Sequence, residues 1–180
     1  MAVNRGKQFE DVVREAFEKV EGVSIDRLHD QTNGFRGSQN ICDFIVYKYP
    51  HQYYIECKSV HGNTLSIHSI PKPDKHGQLH GFYGNITDTQ WEGLSAKSKI
   101  DGVRAGVLCW WVDKDVTLYI PIQVLEAMRN LMCKSVRYDY DKGVIDIDRY
   151  ETYRPIPVLG KKKRVFFDYD MKEFLKNLEE

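Results

Sequence analysis

Two strand-like runs joined by a very short turn constrain this chain more than any other feature. Ile41-Cys42-Asp43-Phe44-Ile45-Val46-Tyr47 and Tyr53-Tyr54-Ile55-Glu56-Cys57-Lys58 are rich in β-branched and aromatic residues, and only a turn at Tyr49-Pro50-His51-Gln52 separates them. So short a link predicts an antiparallel hairpin. Side chains alternate across a strand, so Cys42, Phe44 and Val46 share one face of the first strand, and Asp43, Ile45 and Tyr47 share the other. On the second strand Ile55 and Cys57 oppose Tyr54, Glu56 and Lys58. Antiparallel pairing then brings Asp43 beside Glu56, with Lys58 two residues on. Two carboxylates and an ammonium converge on an otherwise apolar hairpin. One reading is a solvated outer face carrying a salt bridge; the other is a chemical site.

The rest of the chain supplies the layers for such a sheet. Residues Arg5 to Glu21 carry Phe9, Val12, Val13, Ala16, Phe17 and Val20 at helical spacing, and Gly22 stops the run. A short strand is expected at Val23 to Leu28, followed by a loop from Asn33 to Asn40. Thr87 and Gln90 form a capping-box pattern that opens a helix running to about Ile100. Ala105 to Val112 reads as a central strand and Val116 to Ile120 as its neighbour. Pro121 suits the first turn of a helix whose buried face is Val124, Leu125, Met128 and Leu131. A hairpin near Asp141 to Asp148, a strand from Arg164 to Tyr169 and a helix from Met171 complete the order. Together these predict a mixed α/β fold, one central mixed β-sheet flanked by helices, in a single domain over residues 1–180. Residues 61–86 read as an inserted arm or loop.

Hydrophobic residues make up 42% of the 180, enough for a globular core, and the formal net charge of zero excludes a uniformly basic coat. Any nucleic-acid contact must then come from local clusters. Cys42, Cys57, Cys109 and Cys133 show no CxxC spacing and sit in or beside apolar runs, which predicts buried free thiols rather than a zinc site. Reduced cysteines with no signal-peptide pattern imply the cytoplasm. No apolar run reaches membrane-spanning length. His61, His68, His76 and His80 fit no standard metal spacing. Asp139, Asp141 and Gly143 look partly like a calcium loop, but Tyr150 stands where the closing glutamate belongs.

Asp43, then Glu56-Cys57-Lys58 on the next strand, resembles the PD-(D/E)xK nuclease motif. The opening helix Asn4-Arg5-Gly6-Lys7-Gln8-Phe9-Glu10, the run Phe44-Ile45-Val46-Tyr47 and Ile86-Thr87-Asp88-Thr89-Gln90 are similar to RecU-type Holliday junction resolvases. The likeness spans about residues 4 to 112. RecU proteins carry a long stalk before the active-site aspartate, where this chain has only Leu28 to Asn40, and Ile41-Cys42 replaces the hydroxyl residues that precede it there. The resemblance implies a restriction-endonuclease-like fold and a magnesium-dependent endodeoxyribonuclease, with manganese as a possible substitute, acting in DNA recombination and repair.

That chemistry suits the residue types, because a hard divalent ion takes one or two carboxylates and keeps several waters. Asp43 and Glu56 are the expected metal ligands, with the main-chain carbonyl of Cys57 as a third. Lys58 is expected to orient water and stabilise negative charge. Glu10 is either a ligand to a second metal or an ordinary helix-surface residue. Gln90 is either a positioning residue or simply the helix cap. Arg5, Lys7, Arg27 and Arg36 are candidate DNA contacts, as is the run Lys161-Lys162-Lys163-Arg164, while the Gly34-Phe35-Arg36-Gly37 loop is a candidate for entering a junction. Symmetric nicking of a four-way junction implies a homodimer. The alternatives are another nuclease of the same fold, for restriction or DNA-end processing, and a non-catalytic DNA-binding recombination accessory protein.

Overall fold

The computed structural model describes residues 4–28, 40–67, 72–73, 75–77, 79–80, 84–147 and 151–179. Helix α1 (Arg5–Glu18) opens on Asn4, whose side chain accepts from the Lys7 N–H at 3.2 Å, and buries Phe9, Val13, Ala16 and Phe17. It ends three residues before the expected Glu21: the Val20 N–H bonds to the Phe17 carbonyl, and Gly22 takes a positive φ. Strands β1 (Ser24–Arg27), β2 (Phe44–Lys48) and β3 (His51–Val60) form an antiparallel meander.

Beyond β3, strand β4 (Thr64–Ser66) and the short pair β5 (Lys72–Pro73) and β6 (Leu79–His80) occupy part of the segment expected as an arm. Helix α2 (Asp88–Lys97) carries the chain back to β7 (Val103–Trp111), which lies parallel to β3. Strand β8 (Val116–Pro121) is antiparallel to β7, and helix α3 (Ile122–Asn130) follows. Then come β9 (Ser135–Asp139), β10 (Val144–Asp146), β11 (Thr152–Tyr153), β12 (Ile156–Pro157), β13 (Gly160–Lys162), β14 (Phe167–Tyr169) and helix α4 (Met171–Glu179).

The main sheet runs β1-β2-β3-β7-β8-β12, mixed in direction as predicted. One face packs against α1, α4 and Phe166 and Phe167, through Phe9, Phe17, Phe44, Tyr53, Ile55, Leu108, Trp110 and Phe174. The other packs against α2, α3 and a second sheet, β11-β10-β9-β4, through Leu94, Val107, Cys109, Trp111, Ile120, Leu125, Val136 and Ile145. Strands β3 and β7 are therefore covered on both sides, and Tyr53 through Cys57 form an unbroken buried run.

Several boundaries differ from expectation. Pro121 closes β8, so Ile122 takes the first helical position and a place in the core. Leu131 is 50% exposed because α3 ends at Asn130. The expected strand from Arg164 begins only at Phe167, and its partner β13 is built from the basic run itself. Strand β4 is stitched to β9, so at least this part of the inserted segment belongs to the packed body. Among the described residues, no helix is long and apolar enough to cross a membrane. The four cysteines are free thiols; Cys42, Cys57 and Cys109 are buried and Cys133 is partly so.

Helix α2 lies close to the chain just ahead of β2. A β-carbon added at Gly93 would fall 2.3 Å from Ile41 Cγ2 and 2.4 Å from its Cβ. Gly93→Ala must push α2 or residues 41–43 aside. The overpacking should cost about 1–3 kcal/mol, against the ~1 kcal/mol that alanine gains over glycine in a helix. Urea denaturation should show a net loss of stability; a gain would mean that α2 tolerates the shift.

Candidate active site

Asp43 stands one residue ahead of β2 and bridges its two neighbours. Its N–H donates to the Ile55 carbonyl at 3.2 Å, and its carbonyl accepts from the Leu28 N–H at 2.8 Å. Its side-chain Oδ2 accepts from the Cys57 N–H at 2.7 Å. The register pairs Phe44 with Ile55, so one step further sets Asp43 opposite Glu56. The juxtaposition expected from alternation is present.

Glu56 is 2% exposed, so the solvated-face reading of the hairpin does not hold at this residue. Its Oε1 accepts from Lys58 Nζ at 2.6 Å and from Gln90 Nε2 at 2.6 Å. Its Oε2 is buried with no hydrogen-bond partner among the described residues. Lys58, two residues along the same face, also donates to Gln90 Oε1 at 3.3 Å. Gln90 Oε1 meanwhile accepts from the Thr87 N–H at 3.0 Å, which completes the capping box of α2. Gln90 completes the helix cap and also meets the charged pair on β3: one end of the amide caps the helix and accepts from the ammonium, and the other donates to the carboxylate. Only this amide orientation satisfies both charged partners.

Glu10 reaches the site from α1. Arg27 on β1 holds it through Nη2 and holds Asp11 through Nη1, the latter at 2.7 Å. Arg27 thus fastens the helix to the edge strand and is engaged by two carboxylates. Cys57 directs its side chain into the core opposite the site, while its main chain serves Asp43. Arg5 and Lys7 are exposed in the first turn of α1, on either side of Gly6, whose added β-carbon would lie 3.8 Å from Ser59 Oγ. They therefore flank the strand end that carries Lys58. Arg36, the Gly34–Gly37 loop and His68 lie outside the described residues. Lys162 pairs with Asp115, and Lys163 with Asp168 at 3.5 Å.

The electrostatics are those of a site with too much negative charge. Burial strips solvent from Glu56 and, with repulsion from Asp43 and Glu10, pushes its carboxyl up to about 8 despite the opposing pull of Lys58. Burial also raises the Glu10 carboxyl, Asp43 adds to the rise, and Arg27 works against it. Burial raises the Cys42 thiol to about 12 and the Cys57 thiol well above its ordinary value, so neither offers a thiolate.

An orphaned buried carboxylate oxygen beside two more carboxylates fits a divalent cation. Asp43 and Glu56 would hold it, with the Cys57 carbonyl and water completing the shell and Glu10 reaching it directly or through water. Among the described residues, no group of three or more His, Cys, Asp or Glu side chains is arranged to hold a metal ion by itself. Magnesium does not require one, since it keeps several waters.

The structure also reveals contacts that pattern reading missed. Asp11 is the second anchor of Arg27. At the end of β3, Asp113 accepts from the Gly62 N–H at 2.6 Å and pairs with His61 Nδ1 at 3.0 Å, and these contacts hold its carboxyl below the ordinary range. All three contacts join residues far apart in sequence, which local spacing cannot signal.

No protein-family model matches the chain, and no curated protein matches it. Among solved structures, the chain is similar to Hjc of Archaeoglobus fulgidus, a Holliday junction resolvase from an archaeal hyperthermophile. The two share 18% sequence identity over 66% of this chain and 78% of that chain, with a TM-score of 0.42.

Proposed function

We propose that the protein is a magnesium-dependent endonuclease that hydrolyses DNA phosphodiester bonds, and that its substrate is a four-way junction cut by paired nicks. The observation that carries the nuclease reading is Glu56: a fully buried carboxylate with one unpartnered oxygen, facing Asp43 and held by Lys58 and Gln90. Burying such a group is costly unless a charge compensates it. A bound divalent ion would supply that charge, neutralise the phosphoryl oxygens and lower the pKa of a bound water. Lys58 Nζ, anchored on Glu56 Oε1 and Gln90 Oε1, is placed to hold the attacking water and to offset charge developing on the phosphate. Gln90 keeps Lys58 and Glu56 in register with each other. Arg27 fixes Glu10 at the rim.

Junction specificity rests on the sequence likeness to RecU-type resolvases, and symmetric nicking would require two copies of the site about a two-fold axis. The test is a labelled synthetic four-way junction beside a matched linear duplex, each with magnesium and with chelator. Paired nicks in the junction alone support the full reading. Cleavage of both substrates keeps the nuclease and removes the junction preference. Binding without cleavage of either would favour a non-catalytic DNA-binding protein.

A further inference from the structure

A second feature lies on the face of the sheet opposite Glu56 and Lys58 and is not used by that site. Phe166 packs on Trp110 with ring centroids 5.3 Å apart, and Phe9 of α1 lies 5.7 Å from the same indole. Trp110 pairs in register with Ser59, one residue beyond Lys58. The segment between β13 and β14 is thereby brought to the same end of β3 as Lys58, on the other face of the sheet. Between it and α1 lies an open cleft of about 580 Å³, within the range of about 300–1,000 Å³ usual for ligand sites.

The chemistry of its walls is specific. Val165, 46% exposed, and the half-buried Phe166 and Phe167 form an apolar side. Arg5 and Arg164 line it as well, and among the described residues neither is held in a salt bridge. At the far end Lys19 and Lys163 share Asp168, at 2.7 and 3.5 Å, and the remaining carboxylate, Glu15, sits one helical turn before Lys19. The cations outnumber the acids, and the two guanidiniums are the uncommitted ones. Guanidinium forks match phosphate, and an aromatic wall beside them matches a base stacked out of the helix.

We propose that this cleft binds unpaired nucleotides of the DNA strand, with base against Phe166, Phe167 and Val165 and phosphate on Arg5 and Arg164. The inference rests on the nuclease reading for its choice of DNA. It gives the protein a means to prefer branched or frayed DNA over a closed duplex, because only the former offers a strand to the cleft.

The probe is a 5-iodouracil-substituted single-stranded deoxyoligonucleotide of about twelve nucleotides, photocrosslinked to the full chain in chelator and mapped by peptide sequencing, with affinity read by fluorescence anisotropy. The expected result is a cross-link within residues 163–168, and binding weakened about tenfold by Arg164→Gln or Val165→Glu. Both substitutions sit on exposed side chains, and a circular dichroism melt checks that each variant folds. Cross-links mapping elsewhere, or affinity unchanged in both folded variants, would overturn the proposal; an acidic peptide or second chain as the true occupant would give that result. Since everything is read in chelator, failure of the catalytic reading alone leaves the cross-link in place, and failure of the cleft alone leaves Asp43-dependent cleavage in place.

Discussion

Asp43→Asn should leave the protein folded and able to bind DNA while lowering cleavage about 10³-fold or more, the several kcal/mol that a correctly held metal contributes to the transition state. Asparagine is the informative substitution. Its amide oxygen can still accept from the Cys57 N–H that Oδ2 holds at 2.7 Å, so the hairpin keeps its register. Alanine would orphan that N–H and mix a folding defect of about 1–3 kcal/mol into the result. What asparagine removes is charge. That charge is a ligand for the cation, and it is also one of the influences raising Glu56 and Glu10. The variant should therefore be inactive and slightly more stable than the parent. Single-turnover cleavage in magnesium, anisotropy binding in calcium or chelator, and a denaturant titration separate the three quantities. Undiminished cleavage would remove Asp43 from the chemistry and with it the proposed cation site.

The hairpin was legible because two short-range rules act together: a tight turn fixes register, and a period of two fixes facing. Those rules place Asp43 opposite Glu56 without knowledge of the rest of the fold. They say nothing about what covers each face. Glu56 is buried because α2 arrives over it from residues far along the chain, and alternation alone allowed a solvated face.

Gln90 shows a different limit. Spacing alone presents capping and positioning as competing roles, but an amide has two ends, and here they serve different partners. Sequence makes Arg27 a candidate phosphate contact, because a cation near a loop looks available. Its partners, Glu10 and Asp11, lie one helix earlier, and the packing of α1 on β1 that joins them is a tertiary fact. The run at Lys161 reads in sequence as a candidate DNA contact, and its residues are exposed. The packing of the following segment onto β7 comes from the contact between Phe166 and Trp110, which no local pattern encodes.

Stability should fall as pH rises from about 5 to about 8 in the absence of divalent ions. Glu56 titrates near its ordinary 4.5 in the unfolded chain and at about 8 when folded. Between those values the native state holds a proton that the unfolded state has lost, so the slope of unfolding free energy against pH is negative. The contribution is fully present below about 4.5, is lost through the window, and is gone above about 8. Its size should be roughly 2–4 kcal/mol. Glu10, raised in the same direction, steepens the lower part of the fall. Asp113, Asp139 and Asp168 are lowered, so their opposite dependence lies at more acid pH and does not mask this one.

Two further results follow from the same sign. Glu56→Gln should flatten the profile, since a neutral amide has no proton to lose. Magnesium should stabilise the parent more at pH 8 than at pH 5, because binding requires the carboxylate that alkaline conditions expose. Urea titrations at three pH values, with and without magnesium, read all of this. A flat parental profile would mean that Glu56 is not the buried acid its surroundings imply. A falling profile that magnesium does not correct would mean the carboxylate cluster is costly without serving a cation. If the profile falls, magnesium restores it and the glutamine variant shows neither effect, then the instability of the empty site and its affinity for the ion have one origin, the orphaned oxygen of Glu56.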